Sequence, residues 1–431
     1  MIVKNFAKFP FRRWPLRNAV NWIVKDGRRL AKRTKGLRQS LPRFRALKLV
    51  VMHIKSTDRL KKFSIASYPG GPDELVALSR KLDDPFVATL IQAPETRIFR
   101  ISSLAFEPHQ DIFFSAGAAY RQKLGSGRGW RSLREEHSMH SHIVLWSYRR
   151  RILAATAKLN SAKHIESGIV VSGRFPSNFY HLLIGIYPKV FLMEMLKVVP
   201  ESVPLLVSES IRSGPSEGIL RLLVGSSRPI VFLPDSPHLV AEAYFVESPV
   251  PEVAHLPGRN PVPWHRLGSF NFSLMAEYRN FFIDMSERLV PDGQPEVGQR
   301  IFLKRSGPSR PFNDSEVEEM LIGQGFRVIK IEEFPFLEQV KIFSNARMIV
   351  STTGAQWSGA IFAENAKCVI IQPDFLSGSS LFSKLLHGGN SELFEFPMEV
   401  RETWWNDYFS TKQRGHVDID ALKVALSSIG D

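Results

Sequence analysis

"FRVIKIEEFPFLEQVKIFSNARMIVSTTGAQWSGAIFAENAKCVIIQP" spans residues 326–373. Three apolar runs alternate in it with two helical patterns. The runs are "FRVIKI" (326–331), "RMIVST" (347–352) and "KCVIIQP" (367–373); the helical patterns are "PFLEQVKIFSNA" (335–346) and "AQWSGAIFAEN" (355–365). Pro335 suits a first helical turn, where a missing N–H has no partner to lose. Just upstream, "RIFLKR" (300–305) reads as a strand and "NDSEVEEMLIGQG" (313–325) as a helix. Asn313 is placed to cap that helix, Glu316 follows three residues on, and Gly325 ends it. Strands that are apolar throughout and alternate with helices specify a parallel sheet covered on both faces.

Inside this stretch, Ser351, Thr352, Thr353 and Gly354 form a turn between a strand and a helix. Two readings stand side by side. A helix N-terminus offers unpaired N–H groups and a positive dipole end, and glycine lets a ligand approach the backbone, which together suit an anion. The plainer reading is a tight turn with a hydroxyl cap.

A second alternating region lies earlier. "SGIVVSG" (167–173), "VPLLVSE" (203–209), "PIVFLP" (229–234) and "LVAEAYFVES" (239–248) read as strands, with helices over 178–196 and 216–225. "PVPEVAHLPGRNPVPW" (249–264) carries five prolines and reads as a connector. "TRIFRISSLAF" (96–106) reads as a strand pair, and "VDIDALKVALSSIG" (417–430) as a helix capped by Asp418 or Asp420. The expected fold class is therefore α/β: two Rossmann-like domains facing a cleft, over about 56–260 and 261–431, preceded by an arm over 1–55. Ligands in such sheets bind beyond the carboxyl ends of the strands. Ser351–Gly354, Lys304 and Arg305 all fall at such ends, which favours the anion reading.

The formal net charge of +15 is concentrated in that arm. Residues 1–50 hold fifteen Lys or Arg and one acid, Asp26, so the rest of the chain is close to neutral. Leu16, Ala19, Val20, Ile23, Leu30 and Ala31 fall on one helical face, and Arg17, Lys25, Arg28, Arg29, Lys32 and Arg33 on the other. Gly27 interrupts the apolar face. A basic amphipathic helix beside Trp14 and Trp22 suits an anionic membrane surface. A solvated basic arm and an organelle transit peptide share the same composition. Nucleic acid is not an expected partner, because no nucleic-acid-binding motif follows the arm. No run of eighteen apolar residues suggests a spanning helix, and no apolar stretch of a secretory signal opens the chain. The single cysteine, Cys368, leaves no intrachain disulfide. A cytoplasmic setting is expected, peripheral at the inner face of a membrane.

Three segments together resemble glycosyltransferase family 61, over roughly residues 165–375. "NFYHLLIGIYPKV" is similar to the family's N-[YF]-[YF]-H-x-L-x-[ED]-x-x-P-[RK] helix through Asn178, Phe179, Tyr180, His181, Leu183, Pro188 and Lys189. "RIFLKRSGPSRPFNDSEV" resembles its strand, basic pair, arginine-bearing loop and helix start through Lys304, Arg305, Arg310, Asn313 and Glu316. "FLEQVKIFSNARMIVSTTGAQWSGAIF" resembles its E-Q-x-x-x-F-x-x-A segment and G-x-H-G-A-x-[LM]-x-N turn through Glu338, Gln339, Phe343, Ala346, Gly354 and Ala355. Three positions depart: Gly185 replaces the acid of the first helix, Thr353 the histidine before Gly-Ala, and Gly359 the final asparagine.

The resemblance implies a two-domain GT-B architecture, a nucleotide-sugar donor, inversion at the anomeric carbon, and an acceptor hydroxyl on a surface polysaccharide, such as a capsule, or on a glycolipid. Inverting transfer needs a base on the acceptor and a stabiliser for the leaving diphosphate. The one Asp-x-Asp spacing, Asp418–Asp420, reads as a helix cap, so no metal or other cofactor is expected. The diphosphate then falls to Lys304, Arg305, Arg310, Thr352, Thr353 and Gly354, although "KRSGPSR" also reads as a solvated loop. Glu338 is placed for ribose hydroxyls, or equally for the helix dipole. His181 is the candidate base, against a structural hydrogen-bonding role. Asn178, Tyr180 and Trp404 are candidates on the acceptor side, and Trp404 and Trp405 also suit plain packing. Because three positions depart, a catalytically silent nucleotide- or glycan-binding protein of the same fold is the alternative.

Overall fold

The computed structural model describes residues 50–72, 74–77, 80–81, 88–91, 93–115, 118–121, 143–148, 151–156, 162–173, 175–212, 214–250, 270–292, 297–307, 311–373, 380–400 and 415–430. The basic arm, Arg310, Trp404, Trp405 and most of the proline-rich connector lie outside the described residues. Among the described residues no helix is long and apolar enough to cross a membrane.

Eleven strands form the first sheet: β1 (Val50–Ser56), β2 (Ser64–Tyr68), β3 (Thr96–Phe106), β4 (Ile112–Ser115), β5 (Ala118–Arg121), β6 (Ile143–Tyr148), β7 (Arg151–Thr156), β8 (Lys163–Val170), β9 (Leu205–Ser208), β10 (Ile230–Leu233) and β11 (His238–Val246). The expected Rossmann-like half is only part of it. β10, β9, β8 and β11 are mutually parallel. β11 then pairs antiparallel with β3, and the sheet continues through β4 and β5 to β1, β7 and β6. The segment expected as a strand pair over 96–106 is one long strand, β3, with Ser103 at φ 61°.

The second sheet comprises β12 (Arg300–Leu303), β13 (Arg327–Ile329), β14 (Met348–Thr352), β15 (Lys367–Gln372) and β16 (Glu392–Pro397). Its order is β13-β12-β14-β15-β16, with residues 80–81 paired beyond β16, and every pairing is parallel. This is a doubly wound order with its switch point between β12 and β14. Side chains alternate as the pleat requires. Phe302, Met348, Val350, Val369 and Ile371 pack on one face with Val317, Leu321, Leu422 and Leu426 from helices α4 (Asp314–Gly323) and α7 (Ile419–Ile429). Ile301, Leu303, Ile349, Cys368 and Ile370 face the other core. Asp418 Oδ1 caps α7 by accepting the Ala421 N–H at 3.0 Å. Asn313 stands at the start of α4 but caps no helix N–H: its Oδ1 accepts the Val417 N–H at 2.8 Å, and its Nδ2 donates to Val417 O and to Glu316 Oε2.

That other core is shared with the first sheet. Ile169, Leu205 and Val246 belong to the same cluster as Ile301 and Ile349. The joint is α3 (Phe272–Leu289), which the connector had obscured. Asn271 caps it, accepting the Leu274 N–H at 3.1 Å and donating to Pro69 O and Pro94 O. Its Phe282 meets Phe336 and Phe362 of the second unit, while Tyr278 meets Phe191 of the first.

The helix expected over 178–196 divides in two. His181–Ile186 is a π-helix, and α1 (Tyr187–Leu196) continues as an α-helix. The sequence supplies the cause. The Tyr187 N–H closes on Leu182 O, and Pro188 has no N–H, so neither reaches Leu183 O. The buried Tyr278 hydroxyl donates to Leu183 O at 3.0 Å instead, and Ser248 Oγ to Gly185 O at 3.4 Å. The long helix of the first unit is thus completed by hydroxyls from elsewhere in the chain. Helix α2 (Pro215–Val224) packs against α1.

Candidate functional site

At the switch point, Lys304 and Arg305 follow the carboxyl end of β12, and Thr353 and Gly354 follow that of β14. Ser351 Oγ donates to Leu303 O at 2.7 Å, tying the two strand ends together. Arg305 Nη1 donates to Thr353 O at 3.1 Å across the same gap. From β15, Gln372 accepts the Thr353 hydroxyl at 3.2 Å, and the Thr353 N–H reaches Ile371 O. Thr352 is buried, and its carbonyl accepts from Gln356 Nε2 at 2.8 Å and Trp357 Nε1 at 3.1 Å. The turn is therefore clamped from three strands, with Thr353's hydroxyl directed at Gln372.

Gly354 is fully extended. A Cβ there would overlap the Gln356 side chain and lie 2.9 Å from Arg305 Nη1. Glycine lets both side chains lie over the turn. The segment that follows, Ala355–Phe362, is a 3₁₀ helix and not the expected α-helix. Its first bond runs from the Trp357 N–H to Gly354 O. The N–H groups of Ala355 and Gln356, ahead of that bond, have no partner within the helix. Gly359 fits because a Cβ there would overlap the Phe343 ring.

Lys304 is placed differently from Arg305. Its Nζ pairs with Glu318 Oε2 of α4 at 2.5 Å, and that hydrogen bond raises the ammonium pKa above its ordinary value. Glu338 lies half-buried in the first turn of α5 (Phe336–Asn345), which leads from β13 to β14 on the same sheet edge. No hydrogen bond or ion pair engages Glu338 among the described residues. Its charge and place fit a hydroxyl-rich ligand as well as the helix dipole.

On the first unit, Asn178 accepts the Tyr180 N–H at 3.0 Å and donates its own N–H to Phe175 O at 2.8 Å. These bonds shape the entry to the π-helix and present His181, which is half-buried. The His181 ring lies between Phe175, with centroids 5.2 Å apart, and the edge of Tyr180 at 5.5 Å. Tyr180 meets Phe382 of α6 (Ser380–His387) edge-on at 6.1 Å, and Phe382 meets Trp357 at 6.0 Å. Trp357 holds Thr352 O. A chain of aromatic contacts thus runs from His181 to the clamped turn, and the π-helix packs on the 3₁₀ helix. The structure brings His181, Tyr180, Arg305, Thr352, Thr353 and Gly354 into one neighbourhood. It turns the Lys304 ammonium to α4.

Sequence reasoning missed Gln356, which folds back on Ser351 and Thr352, and Gln372, whose partner Thr353 follows a different strand. It also missed a buried histidine. His109 Nδ1 lies 3.3 Å from Asp235 Oδ1, and Nε2 lies 3.7 Å from Glu107 Oε2. Pro108 O accepts the Gly173 N–H, which ties that loop to the end of β8. Among the described residues, no group of three His, Cys, Asp or Glu side chains could hold a metal ion.

Residues 179–370 match the family model described as Glycosyltransferase 61. The match begins one residue after Asn178, runs through the π-helix, α3 and the switch point, and ends in β15. These residues form a glycosyltransferase family 61 region, as the three motifs implied. No curated protein matches the chain.

Proposed function

We propose that the protein is an inverting, metal-independent glycosyltransferase that moves a sugar from a nucleotide-sugar donor to a hydroxyl of a surface polysaccharide or glycolipid. The observation that carries this is the Arg305–Thr353 bridge across the switch point, joined by aromatic contacts to His181. The donor diphosphate lies against Arg305 and the first N–H groups of the 3₁₀ helix. Glu338 takes ribose hydroxyls. The acceptor approaches from the His181 side, with Asn178 and Tyr180 on that face. In one displacement the acceptor oxygen forms a bond to the anomeric carbon and the bond from that carbon to the diphosphate oxygen breaks. The acceptor proton passes to His181, and the diphosphate leaves with its charge met by Arg305.

A melting panel with UDP, GDP, CMP, dTDP and their common sugars, with and without magnesium, tests the donor site. A ligand at 100 times its dissociation constant adds about 2.7 kcal/mol of stability, a shift of several degrees. One nucleotide raising the melt without magnesium is the expected result. No shift with any nucleotide would refute the donor site. A shift without turnover would leave the silent binding protein.

Residues 1–40 hold the enzyme at the inner face of an anionic membrane in this proposal, on the strength of their charge and helical phase. Deleting them should release the protein from anionic liposomes at low salt. A truncated protein that still pellets with the liposomes would remove that role.

A further inference from the structure

Phe175 has an unusual backbone. Its φ is 48°, and Pro176 follows it. A residue before proline is ordinarily extended, and a bulky side chain at positive φ is strained. The turn is fixed by the Asn178 N–H on Phe175 O and by the buried Pro176. The strain does not serve burial, because 40% of Phe175 remains exposed. Among the described residues no other exposed large apolar side chain has a positive φ. What the conformation does achieve is to place the phenyl ring against His181, tilted by 44°. Strained, over-determined residues gather where a ligand is handled.

We propose that Phe175 is the platform for the acceptor sugar. The C–H face of a pyranose rests on its exposed ring face, and the hydroxyl to be glycosylated turns toward His181. The electron-rich face of an aromatic ring suits the positive edge of polarised C–H bonds, and the apolar area adds to the contact. The acceptor is the occupant because Phe175 shares one turn with the candidate base. Arg305 and Gly354, which face the donor, belong to the other sheet. An in-line displacement puts the acceptor on the base's side. This assignment rests on the glycosyltransferase reading above.

The test uses the full chain and the donor identified by melting. Methyl and para-nitrophenyl pyranosides serve as acceptor probes, and donor hydrolysis by water is followed in parallel. Phe175→Ala removes the ring, and Phe175→Asn does so with a residue that tolerates the left-handed backbone. In both, the acceptor KM should rise roughly tenfold or more. The nucleotide melting shift should stay at the wild-type level. Phe175→Trp and Phe175→Tyr should restore the acceptor KM. An unchanged acceptor KM in the Ala and Asn variants would overturn the platform. So would a lost nucleotide shift, which would assign the ring to the donor, or a panel in which no pyranoside accepts sugar while the donor still hydrolyses. Loss of nucleotide binding in the wild-type protein would remove the glycosyltransferase reading and the platform with it.

Discussion

Replacing His181 with alanine should lower the sugar-transfer rate by about 10²–10⁴-fold, the ordinary contribution of a positioned general base. The melting shift given by the nucleotide should not change. The two readouts separate because His181 and the Gly354 turn belong to different sheets. The imidazole rests between Phe175 and Tyr180 on the first unit. Arg305, Thr353 and Gly354 are clamped among the strand ends of the second. The ring is half-buried, so its removal leaves the core intact and the fold should melt near the wild-type temperature. The helix also holds the histidine without a neighbouring acid one turn on, since Gly185 stands there. His181→Asn retains a polar group of similar reach but no base, and should fall as far as alanine. Transfer within threefold of wild type in either variant would show that the proton goes elsewhere.

The second sheet was legible because of how parallel strands are buried. "RMIVST" and "KCVIIQP" face a core on both sides, so each reads as an unbroken apolar run, and β14 and β15 appear where those runs stand. The turn that joins β14 to the next helix was legible for the same reason, since Gly354 marks a close approach. The 3₁₀ form of the helix was not legible. Gly359 abuts Phe343, and Ser358 Oγ bonds Ala355 O, which are matters of packing and not of propensity.

The first sheet was half legible. Its parallel block showed the same apolar runs, whereas β3 is an antiparallel strand with a local irregularity at Ser103, and its pattern suggested two pieces. Helix α3 had a readable signal in Asn271, Phe272, Met275, Arg279, Phe282 and Ser286, at helical spacing, but it follows a proline-rich connector whose composition is that of a domain boundary. Pairings over long separations were out of reach. Nothing near Lys304 in sequence shows that its ammonium belongs to Glu318, and nothing near Thr353 names Gln372. Phe175 inverts its local signal, because a residue before proline is expected to be extended.

Replacing Arg305 with alanine should abolish the nucleotide melting shift. Arg305 does two things with one guanidinium. Its Nη1 holds Thr353 O, which fixes the turn after β14, and its planar fork is the cation at the switch point. A charge-assisted hydrogen bond to phosphate is worth about 1.5–3 kcal/mol, which is roughly 10–150-fold in affinity. Loss of the clamp on Thr353 adds to that. Arg305→Lys should fail to restore binding, since an ammonium cannot hold the carbonyl and meet a phosphate in two parallel bonds. Lys304→Ala is the informative neighbour. Its charge is engaged by Glu318, and that partner raises its pKa, so removing it should disturb α4 more than the nucleotide. The two adjacent cations are therefore expected to separate, with Arg305 governing ligand affinity and Lys304 governing a contact between β12 and α4. An Arg305→Ala protein that binds nucleotide as tightly as wild type would move the diphosphate off the switch point and leave the Gly354 turn as a structural feature only.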